Sequence, residues 1–161
     1  MSADHLTTWF ARAAIVGGVG SALLGLRRWW SERERPATGY VRGQAVAITV
    51  TAIDGKPVEV ATARAYHSMR EAAARDGVRS KVVSGFRTMA EQQYLYDCSR
   101  SGGCNNGNLA ARPGHSNHQS GHALDLNARD PEVGTWLRAH AHEYGFRNTV
   151  ASEPWHWEYW P

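Results

Sequence analysis

The chain has 161 residues, a length that suits one domain with a hydrophobic core. Its content of 42% hydrophobic and 20% charged residues is typical of a globular protein. The chain has 18 Lys and Arg residues against 15 Asp and Glu, and this small, scattered excess excludes a basic track for nucleic acid. The same balance suits an anionic polymer such as a bacterial cell wall, although charge alone does not select that partner.

The chain begins with an uncharged segment. Residues 13–26 carry no charge, and arginines flank them on both sides. The run is shorter than the about 20 apolar residues of a membrane span, and it lacks a clear signal-peptide cleavage site. Three interpretations remain: a weak membrane anchor with contact through residues 9–28, a packed or amphipathic helix, or an inefficient export signal. Residues 31–39 then predict a linker. The chain therefore divides into an N-terminal hydrophobic segment with its linker, residues 1–39, and a domain over residues 40–161.

The first half of this domain predicts a hairpin followed by a helix, a strand and a second helix. Residues 45–53 are rich in β-branched side chains, and the turn DGKP joins them to a second strand around residues 58–60. The alanine-rich segment 61–76 ends before a glycine, which is typical of a helix C-terminus. SKVVSGF indicates a short strand, and Thr88 with Glu91 forms a capping box that begins the second helix.

The second half begins with a long loop. Residues 99–117 are rich in Gly, Asn and Pro, and loops of this length are usually functional or disordered. A strand is predicted over residues 121–127, and a helix over residues 130–145 with Asp as its cap and Gly at its end. Two short strands are expected near residues 146–149 and 156–160. Helices and strands that mix without regular βαβ alternation indicate an α+β domain.

Two cysteines, Cys98 and Cys104, lie within this loop region in CSRSGGC. The short spacing with two glycines allows one tight disulfide, which implies an oxidising compartment. The alternative is a pair of free thiols in a cytosolic protein. The spacing is not that of a zinc-binding CxxC pair, and the chain has no second pair.

Two histidines and an aspartate in SNHQSGHALDL, residues 116–126, have the residue types of a metal site. Side chains alternate between the faces of a strand, so Asp125 and His122 point to opposite sides. The glycine at position 121 lets the chain turn, and His118 can then reach the face of Asp125. His122 is expected to pack or to lie behind the ligands. Because imidazole and carboxylate both bind Zn²⁺, His118 and Asp125 are candidate zinc ligands.

A third ligand can come from EPWHWEYW, residues 153–160. Pro154 excludes an ordinary helix interior, so this segment is extended or a turn. His156 offers another imidazole, and Glu153 offers a carboxylate that can take a proton from water and pass it to a leaving amine. Glu158 lies on the strand face of His156 and is interpreted as structural. Each pattern alone is also compatible with structural histidines.

Several motifs together resemble the zinc D-Ala-D-Ala carboxypeptidases. That family includes the vancomycin-resistance D,D-peptidases and belongs to a wider group with lysostaphin-type endopeptidases and the hedgehog signalling domain. The resemblance covers residues 40–161 and rests on SGFRT, EQQYLY, PGHSNHQSGHALDL, YGF and EPWHWEY. The pattern S-x-H-x-x-G-x-A-x-D is matched at every fixed position from Ser116 to Asp125.

The resemblance implies a small antiparallel sheet that carries the zinc site and is flanked by helices. It implies that His118, Asp125 and His156 bind Zn²⁺ as the cofactor. It also implies that Glu153 is the catalytic base. Binding alone would not need this base, which disfavours a non-catalytic zinc-binding module.

The resemblance further implies roles on the substrate side of the site. Arg87 is expected to pair with a substrate carboxylate, a role that suits a planar, permanently charged guanidinium. Ser116 and Gln92 match positions that line the substrate site in relatives. The chain departs from the family at His122, where relatives commonly have an apolar residue, and in its cysteine loop.

The predicted function is therefore a zinc peptidase that hydrolyses peptidoglycan stem peptides by removing a C-terminal D-Ala. The alternative is an endopeptidase, such as a phage-type lysin, that cuts inside the stem. A Mg²⁺ nuclease would need a carboxylate-rich site and a basic track. We expect a monomer in the bacterial cell envelope or periplasm, or in the cytoplasm before release if the chain is a lysin.

Overall fold

Two antiparallel sheets and four helices form the fold over residues 34–104 and 108–161, the part of the chain that the computed structural model describes. The predicted α+β class is confirmed. The N-terminal hydrophobic segment, including residues 9–28, lies outside the described residues. Among the described helices, none has the length and apolar character needed to cross a membrane.

The first sheet has the order β1–β2–β3, with β1 at Arg35–Val41, β2 at Gln44–Ile53 and β3 at Lys56–Glu59. The predicted hairpin is confirmed as β2 and β3, where Ile53 pairs with Lys56. Asp54 and Gly55, the two residues of its turn, have φ angles of 51° and 76°. Positive φ at both positions matches the twist of the flanking strands, which explains the choice of Asp-Gly.

Strand β1 shows that the predicted linker over residues 31–39 is wrong in its second half. Arg35 lies opposite Val50 and Val41 opposite Gln44, so the segment pairs with β2 along its whole length. Its sequence, RPATGYV, contains Pro and Gly and has low strand propensity. The strand therefore forms through pairing with β2, and its proline is tolerated because β1 lies at the edge of the sheet.

The second sheet has the order β4–β5–β7–β6, with β4 at Val82–Ser84, β5 at Ala123–Leu126, β7 at His156–Tyr159 and β6 at Phe146–Arg147. Its central strands β5 and β7 are antiparallel, and Asp125 lies opposite His156. Leu124 and Leu126 are fully buried on one face, so Asp125 between them points to the other face. The sheet thus brings residues from distant parts of the chain to one face.

The helices are α1 at Val60–Arg75, α2 at Met89–Ser101, α3 at Asn117–Ser120 and α4 at Pro131–His140. The predicted capping box forms at the start of α2, with Thr88 and Glu91 bonded to each other's backbone N–H groups. The last predicted helix is shorter than expected, because residues Ala141–Tyr144 tighten into a 3₁₀ turn before Gly145 at φ 79°.

Helices α1 and α4 pack with the second sheet in one hydrophobic core. Tyr66 and Met69 from α1 and Leu137 from α4 are almost completely buried there. Burial raises the pKa of Tyr66 to about 12, and its hydroxyl keeps a hydrogen bond with Ser80 at 3.1 Å. This core supports the strands that carry Asp125 and His156.

Candidate metal and catalytic site

A tight turn between α3 and β5 places His118 over Asp125. Gly121 follows α3 with a φ of 85°, a left-handed conformation that side chains disfavour. A Cβ at this position would lie 2.5 Å from the Cβ of Glu59, so the close approach to β3 also requires glycine. The turn that the sequence predicted at this glycine is therefore present, and it returns the chain so that His118 and Asp125 meet.

The structure brings His118, Asp125 and His156 together. Their ligand atoms all lie within 4.8 Å of one another. His118 Nε2 and His156 Nδ1 each lie 3.3 Å from the same oxygen, Asp125 Oδ1. Both imidazoles are nearly buried, at 3% and 7% exposure, while Asp125 is partly exposed. The three side chains predicted from the sequence thus converge on one point.

The other nitrogen of each imidazole already has a partner. His118 Nδ1 lies 2.8 Å from the carbonyl oxygen of Gly85, and His156 Nε2 lies 3.0 Å from Glu158 Oε1. Since a carbonyl and a carboxylate only accept hydrogen bonds, these two nitrogens carry the hydrogens. In the neutral rings the lone pairs of His118 Nε2 and His156 Nδ1 are then available to bind a metal, and in the protonated rings the same two nitrogens donate to Asp125. Two imidazoles and one carboxylate are the donor set of a catalytic zinc site with an open position.

The pKa values of the two histidines shift in opposite directions. Burial lowers the pKa of His118 below its usual value, despite its hydrogen bond to Asp125. Burial also opposes the charged form of His156, but hydrogen bonds to Asp125 and Glu158 outweigh it and raise the pKa of that ring. For Asp125, burial is opposed by the hydrogen bonds from both histidines, and its pKa falls well below the usual range. Asp125 is therefore a carboxylate at neutral pH, as a metal ligand must be.

Glu158 accounts for the fixed position of His156, and sequence reasoning did not give it this role. Its Oε1 accepts hydrogen bonds from Asn117 Nδ2 at 2.7 Å and Thr149 Oγ1 at 2.6 Å, besides that from His156. The side chain is 5% exposed. The one signal of this role in the sequence was a charged residue at a strand position that faces inward. Gly85 is the other missed residue, because a backbone carbonyl leaves no mark in the sequence.

Arg87 lies beside Asp125, one of the three candidate metal ligands. Its Nη2 donates to Asp125 Oδ2 at 3.0 Å and to Ser84 Oγ at 3.3 Å. The sequence predicted a substrate carboxylate as its partner, whereas in the structure its partner is a ligand carboxylate. Both hydrogen bonds use one terminal nitrogen, and an arginine has five N–H donors. Arg87 can therefore orient Asp125 and still offer donors to a substrate.

Glu153 lies on the loop that leads into β7 and is half-buried. Its backbone carbonyl accepts hydrogen bonds from the His156 amide at 3.0 Å and from Asn148 Nδ2 at 2.8 Å. Its negative charge acts on Arg87: burial lowers the pKa of that guanidinium, and the charges of Asp125 and Glu153 counteract the shift. The fold thus ties Glu153 to a metal-ligand residue and holds its carboxylate near Arg87.

Ser116 and Gln92 have different surroundings. Ser116, the residue directly before α3, is 7% exposed and lines a cavity of about 380 Å³ together with Glu158 and Tyr159. Gln92 is fully buried, and its Nε2 donates to the carbonyl oxygen of Ala111 at 2.8 Å. Gln92 therefore supports the loop before α3, and its role in lining the substrate site stays a prediction.

Two further predictions concern His122 and the cysteines. His122 is exposed and lines the same cavity as Ser116, so its expected packing role is wrong. The surface position follows from its place just before β5, where the chain is still turning.

Cys98 and Cys104 form a disulfide, the pairing expected from their spacing. It ties the end of α2 to the loop that leads toward the metal ligands.

Comparisons with known proteins agree with this geometry. A D-alanyl-D-alanine carboxypeptidase of Enterococcus faecalis (strain ATCC 700802 / V583) is 29% identical over 132 residues, which cover 66% of this chain and 49% of that protein. The chain thus spans about half the length of this curated relative.

Two solved structures of VanY proteins share the fold. One is a mutant of the vancomycin resistance D,D-pentapeptidase VanY from a VanB-type resistance cassette, in complex with Zn(II). It is 27% identical to this chain, with a TM-score of 0.62, and the match covers 74% of this chain and 82% of that one. The other is VanYB in complex with D-alanine-D-alanine, with 27% identity, a TM-score of 0.59 and coverage of 70% and 77%. Residues 55–161, which contain every side chain of the site, match the VanY family. The chain belongs to the VanY family of D-alanyl-D-alanine carboxypeptidases.

Proposed function

We propose that this domain is a zinc-dependent carboxypeptidase that removes the C-terminal D-Ala from peptidoglycan stem peptides. The observation that carries the proposal is the convergence of His118 Nε2 and His156 Nδ1 on Asp125 Oδ1. Membership of the VanY family and likeness to structures that contain Zn(II) or D-alanine-D-alanine support the metal and the substrate class. A peptidoglycan substrate would put this action in the cell envelope.

His118, Asp125 and His156 would hold the zinc ion. When bound, zinc supplies Lewis-acid chemistry: it makes water nucleophilic near neutral pH and polarises a carbonyl group. The hydrogen bonds of Gly85 and Glu158 keep the imidazoles in the required tautomers. Burial of both rings excludes bulk water from the ligand side of the site.

Glu153 is proposed as the general base and acid. A carboxylate near the metal ligands can accept a proton from the attacking water and return it to the leaving amine. The charge of Glu153 interacts with that of Arg87, which is hydrogen-bonded to Asp125. Glu153 is half-buried, which leaves an edge of the side chain open to water or substrate.

Arg87 is proposed to have two roles. Through Nη2 it fixes Asp125, the ligand that both histidines face. Its remaining donors are proposed to bind the C-terminal carboxylate of the substrate, since guanidinium and carboxylate match as a two-bond pair. Replacing Arg87 with Ala should therefore weaken zinc binding as well as lower kcat/KM, the latter by roughly 10–100-fold for one charge-assisted pair.

Digestion of purified pentapeptide muropeptides tests this function, with the products identified by mass spectrometry. Loss of one C-terminal alanine is the expected result. Cleavage inside the stem would overturn the carboxypeptidase in favour of an endopeptidase. Glu153→Gln is the matched control, because it keeps the size and zinc ligands of the site but cannot accept the proton.

A further inference from the structure

A second cationic group lies next to the metal site, in a cavity of about 530 Å³. Asp125 and Trp155 both line this cavity. Trp155 lies in the chain between Glu153 and His156, and its carbonyl oxygen accepts a hydrogen bond from the Leu126 amide at 2.8 Å. The cavity is therefore built on the same two strand segments as the metal site, so a peptide bound at the metal can extend into it.

Arg129 is the one cation among the described residues that line this cavity. Its guanidinium carbon lies 4.3 Å from the centre of the Trp155 ring. Stacking fixes the plane of a guanidinium while its N–H edge stays available for a planar, negatively charged partner. The rest of Arg129 is exposed, so its position does not depend on burial in the core.

The two carboxylates that line the cavity already have partners. Asp125 Oδ2 accepts a hydrogen bond from Arg87, and Asp130 Oδ1 caps α4 by accepting one from the Glu132 amide at 3.0 Å. No ion pair joins either of them to Arg129 within the described part of the chain. Among the described residues, no acceptor is hydrogen-bonded to the guanidinium of Arg129, so its N–H donors are available to an anionic ligand.

We propose that Arg129, stacked on Trp155, forms a subsite for a carboxylate of the peptide substrate. The inference rests on the proposed function, because the ligand is part of the same peptide. A peptide offers a carboxylate at its C-terminus, which is assigned above to Arg87, and, where it contains an acidic residue, on a side chain, which is left for Arg129. The subsite would make the enzyme select among peptides by charge near the scissile bond.

Three synthetic peptides distinguish these sources: acyl-Glu-D-Ala-D-Ala, acyl-Gln-D-Ala-D-Ala and the C-terminal amide of the second. Glu and Gln are nearly equal in shape, so their comparison isolates the charge. The measurement is kcat/KM for the zinc-loaded wild type, Arg129→Ala and Arg138→Ala. Arg138 is an exposed arginine on α4 that donates to Thr135 and lies outside the residues lining the cavity, which makes it a matched control.

The wild type should prefer the Glu peptide over the Gln peptide by about 10–100-fold, the effect of one charge-assisted pair. Arg129→Ala should lose that preference, and Arg138→Ala should keep it. The preference for a free C-terminus, which is assigned to Arg87, should stay unchanged in Arg129→Ala, and its loss there would overturn the side-chain carboxylate as the ligand. Unchanged preferences in Arg129→Ala, or an equal loss on all three peptides, would overturn the subsite alone. A wild type that cleaves none of them would overturn the proposed function and the subsite with it.

Discussion

Replacing Glu158 with Gln should weaken zinc binding without unfolding the protein. Glu158 Oε1 accepts three hydrogen bonds, from Asn117, Thr149 and His156. The carbonyl oxygen of Gln can accept the same bonds, so the shape of the network is kept. The negative charge behind His156 is removed, and the ring becomes a poorer electron donor to a metal.

The expected magnitude follows from the position of Glu158 directly behind one of the three ligands. Loss of such a partner typically costs 10–100-fold in metal affinity, which is about 1.4–2.7 kcal/mol of binding free energy. His118 should be little affected, because its own partner is the Gly85 carbonyl. The variant should thus bind zinc more weakly but with the same stoichiometry.

The assay is competition for zinc against a chromophoric chelator, with urea unfolding of the metal-free protein to check the fold. Glu143→Gln is the matched control, since Glu143 makes a 3.0 Å contact with His140, an exposed histidine outside the site. The control should bind zinc like the wild type. A Glu158→Gln affinity within about twofold of the wild type would refute the argument, because one hydrogen-bonded charge exceeds that effect.

Three other outcomes can be measured on the same protein. Glu153→Gln should keep its zinc and substrate affinity while kcat falls by roughly 10²–10⁴-fold, the usual cost of a lost general base, as rapid kinetics with a zinc assay would show. Zinc affinity should fall as pH drops through the pKa of His156. Burial alone would lower this pKa, but hydrogen bonds to two carboxylates raise it, so a proton competes with zinc already above the ordinary histidine pKa of about 6.5. Calorimetry in buffers of different ionisation enthalpy should detect the proton that zinc releases. Reducing the Cys98–Cys104 disulfide should lower the free energy of unfolding by about 2 kcal/mol, measurable by urea titration with and without reductant.

Two of the three candidate metal ligands, His118 and Asp125, could be predicted because their signals are local. Strand alternation puts Asp125 on one face, and a glycine before the strand lets His118 turn back over it. The capping box at Thr88 and Glu91 is equally local, and it forms as expected. Patterns of this kind depend on a few neighbouring residues, so they survive in a single sequence.

The partners of the ligands could not be predicted, because they depend on contacts between distant segments. Asn117 reaches Glu158 across 41 positions of the chain, and Arg87 reaches Asp125 across 38. Strand β1 was missed for the same reason, since RPATGYV becomes a strand only beside β2. The burial of Gln92 was missed because a polar residue on a helix is usually exposed.

The most direct test of the account is zinc titration of the metal-free protein while D-alanine release from a D-Ala-D-Ala peptide is measured. The account predicts that the rate rises from near zero in proportion to added zinc and levels off at one zinc per chain, as expected for a single site of three ligands. His118→Ala should remain inactive at the same zinc concentrations. Full activity in the metal-free protein, or no D-alanine release with one zinc bound per chain, would contradict it.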